Sequence, residues 1–205
     1  MDGRGRHALC ECRSGGGKIR RHNNVARFIE RHAKFAGHQV RAEQHVAGVG
    51  KERHADLLVF RPNGVTEVVD VAITYGGQTV QQQQTVANND DHHTYFADTY
   101  SHLHKDNKYK AAVEKDKQYT FVPVVANHWG GWSAQAYKWL SKLGAEVNTR
   151  VQGEGGHSHQ ATTSLFVQLS VAIQKENARM IVMRRSPQDM DMENAVMSAG
   201  VCDGV

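Results

Sequence analysis

Two aspartates, Asp56 and Asp70, sit inside apolar, β-rich runs: His54-Ala55-Asp56-Leu57-Leu58-Val59-Phe60 and Val65-Thr66-Glu67-Val68-Val69-Asp70-Val71-Ala72-Ile73-Thr74. The runs are joined by Arg61-Pro62-Asn63-Gly64, and Asn-Gly between β-rich segments is a strong hairpin signal. Folding about Asn63-Gly64 sets the two carboxylates on neighbouring strands near the same end. A carboxylate is costly to bury in an apolar strand unless something compensates its charge. Two neighbouring carboxylates repel, which raises one pKa unless a cation sits between them. Mg²⁺ meets that need, with Mn²⁺ as a substitute, because it takes carboxylate oxygens while keeping waters and phosphate oxygens. Such an ion activates a water, orients a phosphodiester and neutralises charge that develops on displacement. The alternative is a strand-end Asp56 and an Asp70 that pairs with Arg53 or Arg61.

Other residues carry weaker chemical signals. His7, Cys10, Cys12 and His22 are zinc-ligand types, but one residue between two cysteines is a strained chelate for a tetrahedral site. Trp129-Gly130-Gly131-Trp132, Tyr137 and Trp139 could stack unpaired bases or fill the edge of a core.

Elements must position these groups. Val25, Phe28, Ile29, His32 and Phe35 recur at helical spacing, with Asn23 or Asn24 as cap and Gly37 as stop. A short mixed strand over His38–Glu43 precedes the hairpin, whose Val68–Ile73 portion reads as a central strand covered on both faces. Residues 75–104 hold Gly76-Gly77, a four-glutamine run and Asn88-Asn89-Asp90-Asp91-His92-His93; we expect 76–93 to be mobile without substrate. A helix starts within Tyr95–His104, and its clearest part is Lys108–Tyr119, where Lys108 and Lys115 share a face. Thr120–Ala126 is a strand that Pro123 marks as an edge or a bulge. A helix from Ser133 to Gly144 and a final helix from the 160s toward Arg184 follow. Glu67 reads as hairpin surface.

The chain of 205 residues suits one domain. It has no run of 18 apolar residues, so no membrane span is expected, and no apolar stretch behind Met1 suggests a signal peptide. Three cysteines, two of them nearly adjacent, suit a reducing, intracellular compartment. Residues 1–55 carry 12 Lys/Arg against 5 Asp/Glu, whereas the remainder is slightly acidic. A localised positive field suits a polyanion such as nucleic acid. We divide the chain into a basic N-terminal segment (1–18), a domain (19–185) and an acidic tail (186–205).

The element order resembles the restriction-endonuclease-like (PD-(D/E)XK) fold. That resemblance implies an α/β protein with a mixed sheet flanked by helices, in α-β-β-β-α-β order, and extra C-terminal helices. More narrowly, the chain is similar to the endonuclease domain of site-specific non-LTR retrotransposons. There the first acid follows a basic-His pair, and the lysine has moved from the strand into the next helix. Arg53-His54-Ala55-Asp56, Asp70-Val71-Ala72, Ala111-Ala112-Val113-Glu114-Lys115-Asp116-Lys117-Gln118-Tyr119 and Phe121-Val122-Pro123-Val124-Val125 carry the similarity, with Arg21-His22-Asn23-Asn24 and Val40-Arg41-Ala42-Glu43 upstream. Ala55 stands where proline is frequent, and Ala72 where the ordinary motif has lysine.

The resemblance implies a Mg²⁺-dependent DNA endonuclease of mobile-element origin. Asp56 and Asp70 would hold the metal, and Lys115 would reach the attacking water or scissile phosphate. Lys108 is its nearest competitor, with Lys117 less favoured. Glu43 is a candidate third acid or a surface residue. Arg53, His54, Lys108 and Lys117 are candidate DNA contacts. A homodimer for double-strand cleavage, association with a reverse transcriptase and a nuclear location are further expectations. The rival is a catalytically inactive nucleic-acid-binding domain that keeps the fold, and a third class is an interaction module whose paired acids make salt bridges.

Overall fold

The computed structural model describes residues 16–45, 54–75, 95–153 and 160–183. Helix α1 (Gly17–Phe35) leads into strands β1 (Gln39–His45), β2 (His54–Phe60) and β3 (Thr66–Thr74). Helix α2 (Tyr95–Tyr100) passes into a π-helix (Ser101–Lys110) and a last turn α3 (Ala111–Val113). Strand β4 (Tyr119–Asn127) and helices α4 (Ala134–Gly153) and α5 (Ala161–Val182) complete the described chain. The strands form one sheet in the order β1-β2-β3-β4. The first three are an antiparallel meander, and β4 joins β3 in parallel. The protein is therefore mixed α/β, with a four-stranded mixed sheet flanked by helices.

Strand alternation explains the two cores. Leu57, Val59, Val69, Val71, Val122 and Val124 face α1, α4 and α5, which supply Val25, Ile29, Leu140, Leu143, Leu165, Leu169 and Ile173. The opposite face, with Leu58, Val68 and Phe121, packs on Val113 and on the partly buried Tyr109 and Ala112. Both faces of β3 are covered, as its dense apolar run requires. Strand β4 is the edge of the sheet, which tolerates Pro123. The hairpin turns where expected: Gly64 has φ 82°, and Asn63 Oδ1 accepts from the Val65 amide at 3.2 Å.

Several expected boundaries move. Helix α1 starts at Gly17 rather than at an Asn23 or Asn24 cap, with Gly16 in the left-handed region before it. Asn24 instead lies within the helix and donates to Glu176 of α5 at 3.1 Å. The helix expected over Lys108–Tyr119 ends at Val113, and Lys115 and Lys117 fall in the turn before β4. Helix α4 does begin behind a Ser133 cap, whose Oγ accepts from the Ala136 amide, but it runs to Gly153 rather than stopping at Gly144.

Glu67 is not surface. It is buried, accepts from the Trp139 indole at 2.9 Å and forms an ion pair with Arg61 at 2.8 Å. Arg61 also donates to Glu146, which His38 joins at 2.9 Å. This buried ionic network ties the hairpin turn to α4. Among the described residues no helix is long and apolar enough to cross a membrane.

Candidate active site

The β2–β3 ladder runs from Phe60↔Thr66 to Leu57↔Val69. One register step further, Asp56 comes opposite Asp70 and the pairing changes. The Val71 amide donates to Asp56 Oδ2 at 2.6 Å instead of to a strand carbonyl. Across β2's other edge, the β1 pairing passes from Ala42↔Leu57 to Gln44↔Ala55 and skips Glu43 and Asp56. Glu43 there has φ 50°, the one non-glycine in the left-handed region among the described residues. Such a conformation is costly and is commonest where the backbone is bent for a purpose. The sheet is thus opened at Asp56, and the carboxylate fills the opening.

Helix α1 brings a third group. His22 Nε2 lies 3.2 Å from Asp56 Oδ2 and 3.1 Å from the Val71 carbonyl, while Nδ1 meets Asn23 Oδ1 at 3.0 Å. The Asp56 hydrogen bond outweighs the burial that disfavours charge, and it raises the His22 pKa to about 9. The ring is therefore an imidazolium at neutral pH.

The π-helix brings a fourth. Lys105 Nζ is 2.7 Å from Asp70 Oδ2, with the two side chains 14% and 19% exposed. Burial raises the pKa of the Asp70 carboxyl; Lys105 opposes that rise, and the Asp56 carboxylate adds to it. Burial pulls the Lys105 ammonium down, but the charge and hydrogen bond of Asp70, with Tyr100 and Tyr109, together offset this and hold it above the usual lysine range.

The other candidates lie elsewhere or outside the described residues. Lys108 is exposed, with its ammonium 5.0 Å from the Tyr109 ring centroid. Lys115 and Lys117 are exposed in their turn, and Glu43 is exposed on β1. Arg53 lies outside the described residues, as does the side chain of His54 at the start of β2. So do His7, Cys10, Cys12, the segment 76–93 and the acidic tail; of the zinc candidates, only His22 is described, and it is engaged by Asp56.

Sequence reasoning thus missed the two cations that touch the acids. His22 is separated from Asp56 by 34 residues, and its signals in the sequence were its place in Arg21-His22-Asn23-Asn24 and its type as a zinc ligand, neither of which points to Asp56. Lys105 was hidden by the π-helix, whose i→i+5 hydrogen bonding shifts every side chain from the 3.6-residue spacing used to choose a face.

The oxygens gathered here are two carboxylates and the Val71 carbonyl, which suit a hard divalent ion that keeps part of its water. Among the described residues no group of three or more His, Cys, Asp or Glu side chains forms a metal cage. Mg²⁺ does not require one, since one or two carboxylates with substrate phosphate oxygens are its usual ligands. No protein-family model matches the chain, and no curated protein matches its sequence.

Proposed function

We propose that the chain is a Mg²⁺-dependent DNA endonuclease of restriction-endonuclease-like topology, with Asp56, Asp70 and Lys105 as its working residues. The observation that carries this reading is the pair Asp56 and Asp70 on adjacent strands, with Asp70 partly buried and met by a lysine delivered from the following helix. The order α1-β1-β2-β3-helix-β4, with β4 parallel to β3, agrees with that topology. The basic front half of the chain supplies the field for a polyanion.

Asp56, Asp70 and the Val71 carbonyl would hold the ion, which when bound would supply acidification of water and neutralisation of phosphodiester charge. Lys105 presents a compact charge beside Asp70, where it can meet a phosphate oxygen or the attacking hydroxide. His22 fixes Asp56 by donating to its Oδ2, while the Val71 amide holds the same oxygen from β3. These two bonds leave Asp56 little rotational freedom, so its other oxygen is presented in a set direction.

One observation favours a second reading. Each aspartate already has a cationic partner, Lys105 for Asp70 and the His22 imidazolium for Asp56. A quartet of two acids and two bases could stabilise a nucleic-acid-binding domain without catalysis. Cleavage of supercoiled, linear and branched DNA with Mn²⁺, run beside Asp70→Ala and with calorimetric metal titration, separates the two. The nuclease reading requires cleavage and metal binding that both vanish in Asp70→Ala. DNA binding with neither would establish the inactive domain.

A further inference from the structure

Beyond the same end of β3 that carries the acid pair, three rings form a continuous column. Tyr75 follows β3 directly and stacks on His128 with centroids 4.3 Å apart and planes inclined by 26°. His128 follows β4 and is only 1% exposed. The Trp129 ring also meets it, with centroids 4.4 Å apart and planes inclined by 46°. Trp129 itself is 61% exposed, whereas Trp132 and Trp139 are buried at 5% and 7%. An exposed indole on a mobile loop would mean little, but this one is held rigidly. Asn127 Oδ1 accepts from both the Trp129 and Gly131 amides at 2.9 Å. The His128 carbonyl accepts from Asn177 at 2.7 Å and Gln174 at 3.0 Å. Gly130 makes the turn with φ 94°, close against Ser170 of α5.

The column is also tied to the acid pair. Arg21 and His22 are consecutive on α1. His22 reaches Asp56, while Arg21 reaches Asn177 at 2.6 Å and acts electrostatically on His128. Thr74, the residue before Tyr75, lies four positions past Asp70 and pairs with Asn127. At about 3.3 Å per strand residue, Tyr75 is ~17 Å from Asp70 along the strand, a span of roughly five stacked nucleotides at 3.4 Å each.

We propose that Trp129 is a stacking platform for a base of an unpaired DNA strand, so that the substrate of this site has a single-stranded segment roughly five nucleotides from the scissile phosphate. This rests on the nuclease reading for the role of the acid pair, but the platform has its own readout. Within a duplex a stacked, paired base presents no free face to an indole, whereas an unpaired base of any identity does.

The test uses the full chain in EDTA, titrated with oligo-dT, with a duplex carrying a single-stranded flap, and with the same duplex blunt-ended. Because the other two tryptophans are buried, quenching of intrinsic fluorescence reports Trp129. Quenching by oligo-dT and the flapped duplex, with little from the blunt duplex, is expected. Trp129→Ala should weaken binding of the first two by roughly 5- to 150-fold, the equivalent of one lost base–aromatic stack, and leave blunt-duplex binding unchanged; Trp129→Phe should keep most of the affinity. Equal binding of all three DNAs, or oligo-dT affinity unmoved by Trp129→Ala, overturns the platform. If the parent still cleaves with Mn²⁺ in that case, the nuclease reading stands without it. If Trp129-dependent strand binding is found but Asp70→Ala changes neither metal binding nor cleavage, the platform stands and the nuclease reading falls.

Discussion

Lys105 and Lys115 offer a direct comparison of two lysines on the same stretch of chain. One is drawn onto a buried carboxylate at 2.7 Å; the other is exposed in a turn. Lys105→Ala should lower single-turnover cleavage with saturating Mn²⁺ and DNA by about 10²–10³, the scale of one oriented transition-state donor. Lys115→Ala should stay within a few-fold of the parent and act mainly on the salt dependence of DNA binding. If the two effects are reversed, Lys105 is only a structural partner of Asp70. A double-mutant comparison separates structure from chemistry further. Lys105→Met leaves Asp70 buried without its cation and should destabilise the metal-free protein, and adding Asp70→Asn should restore much of that loss by removing the stranded charge. Activity should not return with the stability.

At the scale of elements, the strands were legible because their signals are local: alternating β-branched residues, and Asn63-Gly64 at a turn that needs φ 82° at the glycine. The helices were misread where packing overrides local signals. Gly144 reads as a helix stop, yet α4 continues because Gly144 is a point where α5 packs directly against it. A Cβ there would meet the Thr162 backbone at 2.6 Å. Gly144→Ala should therefore destabilise the protein by about 1–3 kcal/mol through overpacking, even though alanine is the better helix former. A gain in the urea midpoint for this variant would show that α5 yields easily. The Arg61 network was equally illegible, since an Arg and a Glu flanking a turn normally face water. Only α4, distant in sequence, supplies the Trp139 indole and Glu146 that make their burial tolerable. Arg61→Ala strands Glu67 and should cost about 3–5 kcal/mol, seen as a lower urea midpoint at unchanged slope.

At the scale of the whole molecule, α1 lies between the acid pair and the aromatic column, with His22 turned to one and Arg21 to the other. The sequence could not show this, because it depends on where Asp56, His128 and Asn177 meet around one helix turn. The arrangement makes global stability sensitive to acid through His128. Its ring is buried against Tyr75 and Trp129, and burial, with a further contribution from Arg21, lowers its pKa from 6.5 to about 4. The sign follows from proton counting. Between pH 6.5 and about 4 the unfolded chain holds a proton on His128 and the folded chain does not, so the unfolded state binds more protons and stability rises with pH. The contribution is complete above pH 6.5 and is lost progressively as pH falls toward 4, with a slope of at most about 1.4 kcal/mol per pH unit from this one group. Carboxylates add their own acid dependence, so the informative quantity is the difference between the parent and His128→Asn. Urea unfolding in EDTA at several pH values from 4 to 8 should show that the variant, whatever its absolute stability, has a shallower decline between pH 6.5 and 4. Parallel curves for the two proteins would mean that His128 titrates normally in the fold, and that the column opens to water more readily than its packing indicates.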